Sequence, residues 1–185
     1  MATSVPRRSV SAHFNRGNLA IGFLFSAPGA REWSEGRPVA GVTGENLDFA
    51  LAHLHEKRPD LFPSARRYSY RITNAFSRPL AKSRGDRSSE AKLSQVIEVG
   101  NVARVKRELH GCNLVVLCGR RAQALSRMIA KPGRVLIDAL HPGNRALAAK
   151  WPSGGSGTSP TARRKARAKR WAQELLGDLS RRHVS

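Results

Sequence analysis

The chain has 185 residues, 40% of them hydrophobic, and a formal net charge of +20. A chain of this length forms one domain with tails and can bury a sizeable core. The charge indicates a polyanionic partner, for which nucleic acid is commoner than a membrane surface; the alternative is a soluble basic protein without such a partner. No run approaches the ~20 apolar residues of a membrane-spanning helix and no signal-peptide pattern is seen, so we expect a cytoplasmic protein.

Hydrophobic patterning alternates between strands and helices along the chain. Residues 1–12 are expected to form a disordered basic arm in front of an α/β domain over residues 13–152. Continuous or alternating apolar residues predict strands over residues 19–25, 68–75, 114–118 and 135–139. Apolar residues at helical spacing predict helices over residues 45–57, 90–98, 102–110, 121–130 and 144–151. Between the first strand and the first helix, residues 26–44 read as a loop rich in Gly and Pro.

Strands that alternate with helices predict a three-layer αβα fold around a central, mostly parallel, four-stranded sheet. In such sheets ligands bind beyond the carboxyl ends of the strands. Three polar segments follow predicted strand ends, at residues 26–29, 74–78 and 141–145. We therefore expect these segments to form one binding site.

The C-terminal part of the chain reads as a tether followed by a basic helix. Residues 153–160 have the Ser/Gly composition of a flexible linker, native or left by cloning. Residues 161–185 form a basic helix and tail, in which Trp171, Leu175 and Leu179 lie on one side. Two interpretations stay open and are compatible: the helix docks on the domain, or it is held against phosphates.

The two cysteines limit the metal chemistry. Cys112 and Cys118 read as core thiols in a reducing compartment, with Cys118 at the end of a predicted strand. Two cysteines cannot supply a four-thiolate zinc site or iron–sulfur cluster. We expect no metal and no cofactor.

Two motifs in this order resemble the uracil-DNA glycosylase superfamily. The first contains Pro28-Gly29-Ala30-Arg31-Glu32 followed by Gly36-Arg37-Pro38-Val39-Ala40-Gly41, and is similar to the branch pattern Gly-Glu-Ala-Pro-Gly-x-x-Glu, Gly-x-Pro-Phe-x-Gly. The second, His141-Pro142-Gly143, looks like the His-Pro-Ser motif of that superfamily, and a strand ending in Asn74 looks like its middle element. The resemblance covers roughly residues 19–151. It implies the superfamily fold and an enzyme that flips a base out of DNA and cleaves its glycosidic bond.

The resemblance assigns roles to individual side chains. His141 donates to O2 of the leaving base and so stabilises its negative charge. Asn74 reads the base, because an amide offers one donor and one acceptor; it suits uracil in one orientation and cytosine in the other, and a turn Asn bonded to its own backbone is the alternative. Arg145 is placed to fill the gap left by the flipped base or to hold a phosphate; a solvated Arg at a helix start is the other interpretation.

The candidate site residues fall into three groups. The catalytic candidates are His141, Ser26 and Glu32. The base-binding candidates are Asn74, Ala27, Pro28, Gly29, Val39 and Phe76. The DNA-binding candidates are Arg145, Asn144, Arg78, Lys82, Arg84 and Arg87.

Two departures from the family pattern bear on the chemistry. Ser26 stands where the branch has its catalytic Glu and Ala27 where other branches have Asp or Asn, so Glu32 is the best remaining carboxylate, ahead of Glu35, Glu45 and Asp48. Val39 replaces a Phe that stacks on the base, which removes about 1–3 kcal/mol of stacking and opens volume. A wider pocket favours a base bulkier than uracil.

We therefore expect a monofunctional DNA glycosylase for a modified or damaged pyrimidine: uracil-type, or hydroxymethylated or glucosylated as in phage DNA. It would leave an abasic site and serve DNA repair or phage defence. The partner is DNA, duplex or single-stranded, not a membrane, and we expect a monomer. The alternative is a non-catalytic nucleic-acid-binding module on a degenerate glycosylase fold.

Overall fold

The computed structural model of the protein describes residues 11–80, 85, 88, 90–153 and 159–182. The predicted α/β class is confirmed. Most of the predicted basic arm, most of the predicted linker and the DNA-binding candidates Lys82, Arg84 and Arg87 lie outside the described residues.

The sheet has five strands, not the four that were predicted. They are β1 (Phe14–Asn15), β2 (Ile21–Phe25), β3 (Arg71–Asn74), β4 (Leu114–Cys118) and β5 (Val135–Ala139). Their order is β1-β3-β2-β4-β5, with β1 antiparallel to β3 and the other neighbours parallel. The sheet is therefore mixed. β1 has only two residues, too few for a hydrophobic alternation to show in the sequence.

Eight α-helices are present in the described part of the chain. They are α1 (Ala30–Glu35), α2 (Val42–Lys57), α3 (Leu93–Val96), α4 (Val99–Glu108), α5 (Arg120–Gln123), α6 (Ser126–Ile129), α7 (Asn144–Lys150) and α8 (Pro160–Arg182). α1 lies inside the segment predicted as a loop. The predicted helix over residues 121–130 is instead two short helices. Residues 97 and 98 separate α3 from α4, and the carboxylate of Glu98 caps α4 by accepting from the backbone N–H groups of Gly100 and Asn101.

Two hydrophobic clusters lie on opposite faces of the sheet, because successive strand residues point to opposite sides. Phe23 and Phe25 belong to the cluster that contains residues of α2 and α8, and Leu24 to the cluster that contains residues of α4, α5 and α6. Both cysteines are free and buried, as expected for core thiols, and burial raises the pKa of Cys118. In the described part of the chain, no helix combines the length and apolar character needed to cross a bilayer.

Candidate active site

A cleft of about 690 Å³ opens where the parallel strands end. Its walls bring together seven residues that the sequence had singled out, five from residues 26–39 and one each from the ends of two later strands. They are Ser26, Ala27, Gly29, Glu32, Val39, Asn74 and His141. Parallel strands place their carboxyl ends at one edge of the sheet, which is why residues so far apart in sequence meet here.

Backbone pairing continues beyond β2 and β3 and fixes the first wall of the cleft. The N–H groups of Ala75, Phe76 and Leu80 donate to the carbonyls of Phe25, Ser26 and Pro28, at 2.7, 2.9 and 2.8 Å. These bonds hold residues 26–28 against the segment that follows Asn74. The loop that follows β2 is therefore supported from one side.

Asn74 ends β3 with its side chain turned to the cleft. The residue is 4% exposed, and its backbone carbonyl accepts from Nη2 of Arg104 at 2.8 Å. No described residue hydrogen-bonds its side-chain amide, although the side chain lines the cleft. A turn Asn bonded to its own backbone is thus not what the structure shows, and the amide is free to bond a ligand.

A half-buried ionic network lies next to the backbone of Asn74. Nη1 of Arg104 lies 2.5 Å from Oε2 of Glu108, which also accepts from Oγ1 of Thr73, while Oε1 of Glu108 is 3.0 Å from Nε2 of His13. Burial raises the pKa of Glu108, but bonds from His13 and Thr73 and the charge of Arg104 hold it below its ordinary value. Sequence reasoning missed these residues; the spacing of Arg104 and Glu108, four apart on a helix, was the available signal.

His141 follows β5 and points its imidazole into the cleft. Its Nδ1 accepts the backbone N–H of Gly143 at 3.0 Å, so the proton of the neutral ring is on Nε2. No described residue bonds Nε2. Burial lowers the pKa of His141, against the opposing effect of Glu90 and Glu32. The neutral ring therefore offers an N–H donor to the cleft at neutral pH.

Four residues fix the position of His141 or of the segment that carries it. The ring of Phe25 meets the imidazole edge-on, with centroids 5.7 Å apart. Gly119 has a φ of +92°, and a Cβ there would lie 3.1 Å from Cβ of His141; a Cβ on Gly143 would lie 2.8 Å from Nδ1. Nδ2 of Asn46, a residue that the sequence did not single out, donates to the carbonyl of Pro142 at 2.9 Å. Larger side chains at the two glycines would displace the ring.

Glu32 lines the cleft, but one of its oxygens is engaged. Oε2 accepts the backbone N–H of Gly29 at 3.0 Å and so caps α1. The three weaker carboxylate candidates do not line the cleft: Glu35 pairs with Arg31 and Arg37, Glu45 with Arg164, and Asp48 with Arg67. The cleft has further carboxylates that sequence reasoning missed, at Glu90, Asp138, Glu174 and Asp178.

Val39 is held in a strained conformation. Its φ of +46° is the one positive value among the described non-glycine residues, and it is costly for a β-branched side chain. Tyr68 donates its hydroxyl to the carbonyl of Pro38 at 3.0 Å. The Val39 carbonyl oxygen packs against Gly44, where a Cβ would lie only 1.8 Å from it. Strain of this kind, about 1–3 kcal/mol, persists where the surroundings enforce it. The loop thus places a short apolar side chain, 5% exposed, in the cleft wall.

Several predicted site residues do not line the cleft. Pro28 and Phe76 are not among the cleft-lining residues, and Phe76 packs against the cluster on the other side of the sheet. Asn144, Arg145 and Arg78 also lie outside the lining. Asn144 and Arg145 begin α7, directly after the His141 segment.

The C-terminal helix docks and forms the far wall of the cleft. Nε1 of Trp171 donates to the carbonyl of Leu140 at 2.7 Å, and Leu175 lines the cleft. Arg164 pairs with Glu45 at 2.6 Å, and Arg167 donates to the carbonyls of Trp151 and Pro152. Part of the basic half of α8 therefore serves docking, while Lys165, Lys169 and Arg170 stay exposed.

Among the described residues, no group of three or more His, Cys, Asp or Glu side chains is arranged to hold a metal ion. The cleft offers instead an amide, a neutral imidazole and several carboxylates. Comparison with protein-family models and with curated protein sequences gives no match for the chain.

Proposed function

We propose that the protein is a monofunctional DNA glycosylase that takes an extruded pyrimidine nucleotide into the cleft and hydrolyses its N-glycosidic bond, leaving an abasic site. The observation that carries the proposal is the meeting of the Asn74 amide and the His141 imidazole in one cleft. One group suits the donor and acceptor pattern of a pyrimidine edge, and the other suits the negative charge that develops on the leaving base.

The proposed mechanism follows from these residues. Cleavage leaves positive charge on the sugar and negative charge on the base, and Nε2–H of neutral His141 donates to the base oxygen where that charge collects. Residues 26–29 bring backbone close to the sugar and the attacking water. Lys150 is the cleft's lysine, and its pairing with Glu174 at 2.5 Å argues against a Schiff-base step.

We assign activation of the attacking water to Glu32. Ser26 and Ala27 carry no carboxylate, so Glu32 is the proposed partner of the water through the oxygen that Gly29 does not engage. A dissociative reaction demands little of a general base, because most of the barrier reduction comes from stabilising the leaving anion.

The proposed fold is the three-layer αβα arrangement of the uracil-DNA glycosylase superfamily, with the antiparallel strand β1 added at one edge. Helices in both hydrophobic clusters support it. So does the order of the motifs along the chain: residues 26–44, then Asn74, then His141.

The proposed substrate carries a modified base. The cleft volume of about 690 Å³ exceeds what an unmodified pyrimidine needs, and Val39 leaves the base position wide. Further polar side chains line the cleft, with Gln123, Asp138 and Glu174 among them. Carboxylates and amides accept hydrogen bonds from hydroxyl groups, which suits a hydroxymethyl or glucosyl substituent.

The experiment is a cleavage assay on single- and double-stranded oligonucleotides. Each carries one uracil, hydroxymethyluracil, hydroxymethylcytosine or glucosylated hydroxymethylcytosine, and alkali then converts abasic sites to breaks. We expect breaks at a modified base, and a rate reduced about 10²–10³-fold in His141→Ala with binding retained. His110→Ala, which changes an exposed histidine outside the cleft, is the control. Equal losses of rate and affinity in His141→Ala would contradict the role of this residue.

The second candidate function is a non-catalytic nucleic-acid-binding module. The absence of a carboxylate at Ser26 and Ala27 and the cap formed by Glu32 favour it. Tight binding of every oligonucleotide in the same assay, with no alkali-sensitive site, would select this function over the enzyme.

A further inference from the structure

A second groove lies between α2 and α8, apart from the cleft. Its volume is about 460 Å³, and its described lining carries three cationic side chains and one imidazole but no carboxylate: His53, Lys57, Arg58 and Lys169. Thr43 of the cleft precedes His53 by nearly three helical turns of α2, or about 15 Å along the axis. The groove is therefore a site of its own.

His53 is a buried polar side chain without a hydrogen-bond partner. It is 8% exposed, and no described residue hydrogen-bonds its ring. Oε2 of Glu56 lies 3.9 Å from Nδ1, which is beyond hydrogen-bond distance. Its ring nitrogens are not among the fully buried polar atoms that lack a partner, so they are accessible from the groove, where an acceptor atom of a ligand can bond them.

The charges around His53 favour an anionic ligand. Lys57 pairs with Glu56 at 2.8 Å and Arg58 with Asp60 at 2.7 Å, but neither carboxylate lines the groove. Lys169 faces the groove from α8 and forms no ion pair with a described residue. Burial lowers the pKa of His53, and the charges of Lys169 and Lys57 lower it further against the opposing effect of Glu56.

We propose that the groove between α2 and α8 binds a phosphate group of a nucleic-acid backbone. His53 and Lys169 donate to its oxygens, and Lys57 and Arg58 add positive charge. Contacts to phosphate carry no base information, so the groove binds any sequence.

The bound phosphate makes the groove pH-sensitive. In the free protein, the charges of Lys57 and Lys169 disfavour protonation of the His53 ring and Glu56 favours it. A bound phosphate adds negative charge beside the ring and so favours its protonated form. Binding therefore strengthens as the pH falls through the pKa of the complex. His53→Gln keeps a side chain that can donate but does not titrate, so its binding should lose this pH dependence.

The first test uses inorganic phosphate as the probe and the His53 ring resonances in NMR as the readout. Phosphate should shift these resonances, and Lys169→Glu should weaken binding about tenfold. Lys165→Glu is the matched control, since it makes the same charge change one turn earlier on α8 at an exposed residue outside the groove. Unshifted His53 resonances, or equal losses in the two variants, would overturn the proposal.

The second test separates a nucleic-acid backbone from a free phosphorylated molecule. An unmodified 20-base-pair duplex should displace phosphate from wild-type protein and shift the same His53 resonances. If phosphate binds but the duplex does not compete, the assignment to nucleic acid is wrong. Neither result depends on abasic-site formation, so the two proposals fail separately.

Discussion

The tautomer of His141 follows from a single backbone bond. Because the N–H of Gly143 donates to Nδ1, protonation of the ring at that nitrogen would break the bond and place a charge in a buried position. Burial accordingly lowers the pKa of His141. The folded protein binds this proton less readily than the unfolded chain, in which a histidine titrates near pH 6.5.

This difference predicts how stability depends on pH. Stability from His141 is fully present above about pH 6.5 and is lost as the pH falls further, by at most ~1.4 kcal/mol per pH unit. His141→Gln should remove that part of the slope. Urea unfolding at pH 5.0, 6.0 and 7.5 measures it, and the difference between the two proteins isolates His141 because His53 is present in both. Parallel slopes would contradict the assignment of a neutral ring.

A comparison of two glycines distinguishes the effect of contact with His141 from the effect of a left-handed backbone. Gly119 has a φ of +92° and abuts His141, whereas Gly133 has a φ of +73° with nothing near its missing Cβ. Alanine at either position should destabilise the fold by about 1 kcal/mol or more, because both backbones are left-handed. Only Gly119→Ala should also shift the His141 ring resonances and reduce cleavage. Equal behaviour of the two variants would show that Gly119 serves the backbone alone.

At the scale of elements, α8 is part of the domain core. The indole of Trp171 is 2% exposed and bonds the carbonyl of Leu140, next to His141. Trp171→Ala should lower the free energy of unfolding by about 3–5 kcal/mol, and Trp171→Phe, which loses mainly the hydrogen bond, by about 1–2 kcal/mol. Urea unfolding measures both. An unchanged midpoint in Trp171→Ala would contradict the place of α8 in the domain core.

Elements with long apolar patterns could be predicted from the sequence, and short ones could not. The apolar runs at β2, β4 and β5 and the amphipathic pattern of α8 gave the right element at each position. β1 is set by its pairing with β3, a tertiary contact of which local patterning holds no trace. α1 has six residues, too few for an apolar period to show, and its local cap by Glu32 was the available signal.

The candidate site divides in the same way. Asn74 and His141 were predictable because each follows a patterned strand, and the topology brings strand ends together. Asn46, Glu108 and the cleft-lining face of α8 act through partners that are distant in sequence, such as Pro142 and Thr73. Their roles depend on the packing of helices against the sheet, which a single sequence does not specify.

For the molecule as a whole, most of the positive charge lies away from the cleft in which we propose that a base is read. The net charge of +20 is spread over the body and α8, whereas the cleft lining includes five carboxylates. Charge attracts any nucleic acid and responds strongly to salt, with a slope of about −0.9 in log K against log salt for each phosphate contacted on duplex DNA. The proposed base recognition in the cleft would add a contribution to affinity that salt changes little.

This separation predicts that one variant changes the preference for the modified base and another changes the overall affinity for DNA. Asn74→Ala should leave the affinity for unmodified DNA and its salt slope unchanged, because a buried amide contacts no phosphate, but should lower the preference for the modified base by about 1–3 kcal/mol. Arg145→Ala should weaken binding to modified and unmodified DNA alike and reduce the salt slope by about one phosphate's share. Binding isotherms between 50 and 200 mM salt, with both DNA types, measure these quantities. If Asn74→Ala changed the salt slope, or kept the full preference for the modified base, the amide would not be the group that reads the base.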